Sequence, residues 1–181
     1  MKKLILSMLA IAGVTFSMTA QDDSSGGQTA QGSWLVEANT GFGGGGGPLA
    51  HSANTSFGLT SFDGNTSWAI GGEAGYFVAD DLAVKLGLGY FDSDGNTSGL
   101  TYKVGGKYYI NSMIPVQVDL TGSSIKDADN NPLWLGLQGG YAIFLGDMVS
   151  IEPGLRYNLS LNEDVTDEGL FEFRVGFALH F

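Results

Sequence analysis

Imidazole is the side chain that most readily moves protons near neutral pH, and the chain has two, His51 and His180. His51 stands beside Ser52 in a glycine-rich stretch, with Asp63 and Asp92 as acids that could complete a base–nucleophile set. A general base must reach the atom it deprotonates, and two adjacent residues in such a loop supply no such geometry. An enzymatic reading would run through His51; the expectation is no enzyme and no catalytic residue. His180, one residue from the end, reads as structural. Cysteine is absent, which excludes thiol nucleophiles, disulfides and cysteine-based metal centres. The five glycines at 43–47 are not a phosphate cradle, because no Gly-Lys-Ser/Thr follows. No cofactor is expected.

Carboxylates are the next source of chemistry. Asp92 and Asp94, and Asp127 and Asp129, open stretches that echo the start of a calcium loop. Both lack the remaining ligand spacing and the bidentate glutamate. Solvation and turn chemistry explain them as well, so no metal is assigned and these four stand as candidates for divalent binding at a rim.

A different set is defined by alternation. Glu37, Glu73, Asp119, Glu152 and Glu172 share a strand face with Lys85, Lys103, Lys107, Arg156 and Arg174. Five acids and five bases balance, although the whole chain carries 19 acidic against 8 basic residues, a net charge of −11. Charges removed from water need partners. This balance therefore predicts a paired network.

The elements that position these charges follow from period-two patterning, which places successive side chains on opposite faces of a strand. Eight segments alternate: 33–43, 66–79, 82–92, 99–110, 114–124, 132–145, 149–160 and 169–181. One face of each is bulky and apolar; the other is mostly Gly, Ala, Ser, Asn and Gln with the ten charges. Tight turns at 80–81, 111–113 and 146–148 alternate with longer polar connections at 44–65, 93–98, 125–131 and 161–168. Within the first connection, 55–62 alternates weakly and reads as a hairpin arm above the barrel. Short turns at one end and long loops at the other are the plan of a transmembrane barrel. The narrow interior of eight strands suits small residues and a few long polar ones. Aromatics fall near both strand ends: Trp34, Tyr76, Tyr108 and Phe181 at one, Phe42, Trp68, Tyr90 and Tyr102 at the other. Two such belts are expected at membrane interfaces. The fold expected is all-β, an eight-stranded antiparallel up-and-down transmembrane β-barrel.

Residues 1–20 (MKKLILSMLAIAGVTFSMTA) have the basic start, apolar run and small-residue end of a secretory signal peptide. Losing Lys2 and Lys3 with it would take the net charge from −11 to −13. Residues 21–32 read as a flexible polar tail, and 33–181 as the barrel domain. The acidity excludes nucleic acid as a partner. The 29 glycines, about twice the usual ~7%, fit the small-residue strand faces and the loops.

The final strand, FEFRVGFALHF, carries Phe171, Phe173, Val175, Phe177, Leu179 and Phe181 at every second position. It resembles the terminal signal that the barrel-assembly machinery reads in Gram-negative outer-membrane proteins. The segment GGEAGYFVADDLAVKLGLGY (71–90) resembles the first short hairpin of the small outer-membrane β-barrel family that includes OmpA- and OmpX-type barrels. KVGGKYYI (103–110) and GGYAIFLGDMVSIEPGLRYNL (139–159) fit the same scheme. The resemblance implies an outer-membrane location, with periplasmic termini and extracellular long loops. It implies a structural, envelope-integrity or adhesin-like role. The partners it implies are outer-membrane lipid including lipopolysaccharide, the assembly machinery during biogenesis, and an external protein or surface ligand. A narrow passive pore and a lipid A-modifying barrel using His51 are the alternatives.

Overall fold

The computed structural model describes residues 27–43, 48–62, 64–93 and 97–181. Residues 1–20, read above as a leader, residues 21–26, most of the glycine run, Asp63 and Asp94 lie outside the described residues. The strands are β1 (Trp34–Gly43), β2 (Gly58–Phe62), β3 (Asn65–Ala79), β4 (Leu82–Ser93), β5 (Thr97–Ile110), β6 (Ile114–Ile125), β7 (Leu133–Gly140), β8 (Ile143–Phe144), β9 (Val149–Ser160) and β10 (Leu170–His180). A short helix, α1 (Pro48–Ser52), lies between β1 and β2.

Every pairing between strands is antiparallel, and the sheet returns on itself because β1 pairs with both β10 and β3. With β7 and β8 forming one stave and β2 lying beside β3, eight staves close the barrel. Closure is completed at the chain end, where Trp34 and Phe181 exchange backbone hydrogen bonds. The alternation read from the sequence is the alternation of the wall. Leu86 and Leu88 of β4 are 63% and 73% exposed, whereas Lys85, on the opposite face of the same strand, is 1% exposed.

The stave expected at 132–145 is interrupted at Tyr141 and Ala142. They lie opposite Glu152 and Pro153, and the flanking pairs Gly140–Gly154 and Ile143–Ile151 keep one register. Tyr141 donates to the Pro153 carbonyl, but proline has no N–H to return the bond. The three short turns fall as expected, and left-handed backbone occurs at Asp81 (φ 64°), Asn111 (φ 53°) and Ser112 (φ 58°). Asp and Asn tolerate that conformation better than most residues. The second long connection is shorter than expected: β4 runs to Ser93 and β5 resumes at Thr97. Of the hairpin arm expected at 55–62, Gly58–Phe62 forms β2, paired with the start of β3, whereas Thr55 and Ser56 are buried inside the barrel.

Two departures concern segments read as exposed. Residues 27–32, within the stretch read as a flexible tail, lie against the short-turn end. Thr29 bonds Asp81, Gln31 bonds Asp80 and Val78, and Gln28 bonds Gly146. The first long connection does not stand wholly outside the barrel. Residues 50–56 are buried in its interior, and α1 packs there against β3, β4, β5 and β6.

Candidate functional site

The interior is built in three layers. At the short-turn end, Leu35, Phe77, Ala83, Tyr109, Ala142 and Ala178 form an apolar floor against Phe144. The His180 ring packs among Phe77, Tyr109 and Phe144. Its Nε2 lies 2.9 Å from Ser150 Oγ and its Nδ1 lies 3.1 Å from the Gln28 carbonyl. The structure thus places His180 inside the base of the barrel as a packing residue.

Above the floor lie the ten charges, all buried. Lys85 Nζ reaches Glu37 Oε2 at 2.8 Å and Glu73 Oε2 at 2.7 Å. Lys107 Nζ reaches Glu37 Oε2 at 2.8 Å and also pairs with Glu152. Lys103 Nζ reaches Glu73 Oε1 at 2.7 Å. Arg156 is bidentate on Asp119, Nη1 to Oδ2 at 2.7 Å and Nη2 to Oδ1 at 2.6 Å. This is the fork geometry in which arginine binds carboxylates most strongly. Glu37 and Glu73 are each shared between lysines of β4 and β5, and Glu152 of β9 pairs with Lys107 of β5, so all of these pairs except Glu73–Lys85 tie together staves that do not adjoin.

Neutral groups join the pairs into one network. Gln117 accepts from Lys85 and donates to Asp119. The Tyr109 hydroxyl and Ser150 Oγ both donate to Glu152. Asn158 accepts from Arg156 Nε and donates to Glu172. Sequence reasoning missed these linkers, although Gln117 and Asn158 stand at the expected inward parity. A polar side chain on a face of small residues was the available signal.

Glu172 and Arg174 are not brought into direct contact. Asn54 stands between them, donating to Glu172 Oε2 at 2.6 Å while its Oδ1 accepts from Arg174. Asn54 belongs to the inward-folded connection, which forms the third layer. Thr55 Oγ1 donates to Glu73 at 2.8 Å, Ser123 Oγ donates to the Ser52 carbonyl at 2.6 Å, and Trp134 Nε1 donates to Ser52 Oγ at 3.3 Å. Glycines on the inner face make room for this plug. A Cβ at Gly71 would lie 2.7 Å from the Thr55 carbonyl carbon, and one at Gly87 would lie 2.7 Å from Thr55 Oγ1.

His51 sits in the plug, 8% exposed, with its ring 6.4 Å from that of Phe91. Burial holds its imidazole below the ordinary value, and the nearby Glu172 carboxylate offsets part of that shift. Ser52 Oγ donates to the Leu49 carbonyl and accepts from Trp134, so its hydroxyl is engaged away from His51. The two residues do not form a base–nucleophile pair. Among the described residues no group of three acidic or imidazole side chains converges on a metal position. Asp92 lies at the end of β4, and Asp127 and Asp129 lie in the connection after β6. On the outer face, Phe171, Phe173, Phe177 and Leu179 of β10 are exposed, and Val175 and Phe181 are half-buried.

No protein-family model matches the sequence, and no curated relative matches it. Solved structures do match. The chain is similar to the N-terminal β-barrel domain of OprF from Pseudomonas aeruginosa. The two share 16% identity and a TM-score of 0.57 over 83% of this chain and 98% of that one. It also overlaps a de novo designed transmembrane β-barrel, with 14% identity and a TM-score of 0.47 over 83% and 97% of the two chains. Outer membrane protein AlkL, solved by solid-state NMR in DMPC lipid bilayers, overlaps at 14% identity and a TM-score of 0.48, over 88% and 93%. The likeness to OprF bears out the expected fold: a closed, eight-stranded antiparallel barrel.

Proposed function

We propose that the protein is an outer-membrane barrel with a non-enzymatic role in the envelope, contributing to its integrity or to surface contact through its loops. The observation that carries this reading is the inverted polarity of the wall. Large apolar side chains such as Val84, Leu86, Leu88, Val104, Val118 and Leu155 are exposed, while the ten charges are inside. Monomeric soluble proteins rarely expose apolar patches above a few hundred Å², and in water this exterior would aggregate. In hydrocarbon it is the favourable arrangement, since a closed barrel also leaves almost no backbone group unpaired. Ring contacts between Trp34 and Tyr76 near one end and between Trp68 and Tyr90 near the other fit two interfacial belts. The short-turn end then faces the periplasm with both termini, and the long loops face outward. The outward residues Phe171, Phe173, Val175, Phe177, Leu179 and Phe181 would serve as the assembly signal.

The filled interior favours a closed structural barrel over a passive pore. The engaged Ser52 hydroxyl supports a non-enzymatic role over lipid A chemistry at His51. The test is a deletion strain examined together for membrane fractionation of the complemented protein, envelope permeability and adhesion. The protein should fractionate with the outer membrane and migrate faster on gels before heating than after. Its loss should raise permeability or lower adhesion. A soluble periplasmic protein, or a deletion that alters only lipid A, would overturn the reading.

A further inference from the structure

The barrel wall has one irregular seam. β1 pairs with β3 only through Trp34–Tyr76, Leu35–Gly75, Val36–Ala74 and Glu37–Glu73. Above Glu37 the outer half of β1 keeps β10 on one side but has no β3 partner on the other. There β3 pairs instead with β2, from Gly58–Ala69 to Phe62–Asn65. β1 and β2 run parallel along the seam. Among the described residues one bridge joins them, Thr40 with Phe57, and Phe57 N donates to the Asn39 carbonyl.

A cavity of about 580 Å³ fills the seam. Phe42, Phe57 and Leu59 form its apolar outer wall and are strongly exposed on the barrel exterior. His51 and Glu172 form its inner, polar end. His51 is nine-tenths buried, and its Nε2 has no hydrogen-bond partner among the described residues. Its Cε1, the neighbouring ring atom, lies directly beneath Gly58, where an added Cβ would come within 3.1 Å. Glu172 makes no ion pair among the described residues; its partners are the amides of Asn54 and Asn158. The cavity therefore runs from an apolar, outward-open side to a polar end formed by the His51 ring and the Glu172 carboxylate.

We propose that this seam is a lateral binding site for a single-chain amphiphile whose polar head donates hydrogen bonds, an alcohol or an amine. The apolar chain lies against Phe42, Phe57 and Leu59 and enters from the membrane side. The head reaches Glu172, an acceptor, and the His51 nitrogen. An anionic head is disfavoured because it would meet the Glu172 carboxylate in a partly desolvated site. The inference rests on the reading of the wall as membrane-facing.

The chain contains only two histidines, one beside the seam and one in the floor, so His180 serves as an internal reference. The full chain, labelled at histidine, is placed in phospholipid nanodiscs and titrated with dodecanol, dodecylamine and dodecanoate while both ring signals are followed by NMR. The His51 signal should shift saturably with dodecanol and dodecylamine, about tenfold more weakly with dodecanoate, an affinity ratio of about 1.4 kcal/mol. The His180 signal should stay fixed. Gly58→Leu, which fills the cavity, should abolish the response. If that variant fails to fold, Phe57→Ser, which removes the apolar wall from an exposed position, should weaken it. Non-saturating shifts for all three amphiphiles, parallel movement of both histidines, or an unchanged response in the folded variants would overturn the site. A chain that does not enter nanodiscs with a heat-dependent mobility shift would overturn the membrane reading itself, whereas one that enters and shows no saturable shift overturns only the site.

Discussion

Asp119 and Arg156 meet through two hydrogen bonds of 2.7 and 2.6 Å, both side chains withdrawn from solvent. The same carboxylate also accepts from Gln117 and Thr121, so all of its oxygen sites are used. Replacing Asp119 by Ala leaves a guanidinium buried with only its Asn158 bond. Breaking one half of a buried pair costs about 3–5 kcal/mol. Removing both halves costs less than the sum, because no orphan charge remains. Urea unfolding of protein refolded into vesicles should show D119A losing stability on that scale. The D119A/R156M double variant should recover part of it, a positive coupling in the mutant cycle. Additive losses would mean that the pair is two independent polar contacts and not one coupled unit.

At the scale of elements, the plug is held by few contacts from distant strands, and two predictions concern it. Gly71→Val would drive side-chain atoms into the Thr55 backbone, where the 2.7 Å approach leaves no flexible group to yield. The staves should persist while 50–56 leaves the interior. In a W34F/W68F background, Trp134 emission should then move to the red as its indole loses Ser52. An unshifted spectrum would mean that the plug tolerates the added atoms. The second prediction is pH dependence. Docking lowers the His51 pKa, so the released plug takes up a proton at the ordinary value of about 6.5 before the docked one does. Docking is therefore strongest above about pH 6.5 and weakens as pH falls below it, until the docked pKa is reached. Trp134 emission should follow that course, and His51→Phe should flatten it. The staves were readable in the sequence because alternation is local: each strand carries its own inward and outward parity. Even the break at Tyr141 has a visible cause in Pro153. The plug was not readable. Its segment has no period, and its partners are remote: Ser123 is 71 residues from Ser52, and Glu172 is 118 from Asn54. Only the inner-face glycines hinted at it, and small residues there are equally explained by a narrow barrel.

For the whole molecule, the question is whether anything passes through it. Eight strands enclose an interior that side chains can fill, and here three layers fill it in series. An inward-folded connection closes the outer half, a charge network closes the middle, and an apolar floor with His180 closes the base. Layers in series act like resistances in series, so the tightest one sets the current. Replacing 49–54 by a short glycine–serine link removes the outer layer alone. Lys85, Lys107, Glu37 and Glu152 remain paired beneath it, and Tyr109 stays bonded to Glu152. In planar bilayers, both the intact protein and the plug-less variant should show no steady openings. Conductance should appear only when the lower layers are removed as well, for example by adding K85A, K107A, E37A and Y109A. That combination also costs stability, so folding must be verified by the heat-dependent mobility shift before recording. Steady large openings from the intact chain would contradict a closed lumen. Openings from the plug-less variant alone would place the single seal in the inward-folded connection, leaving the charge network to hold the staves together without blocking the path.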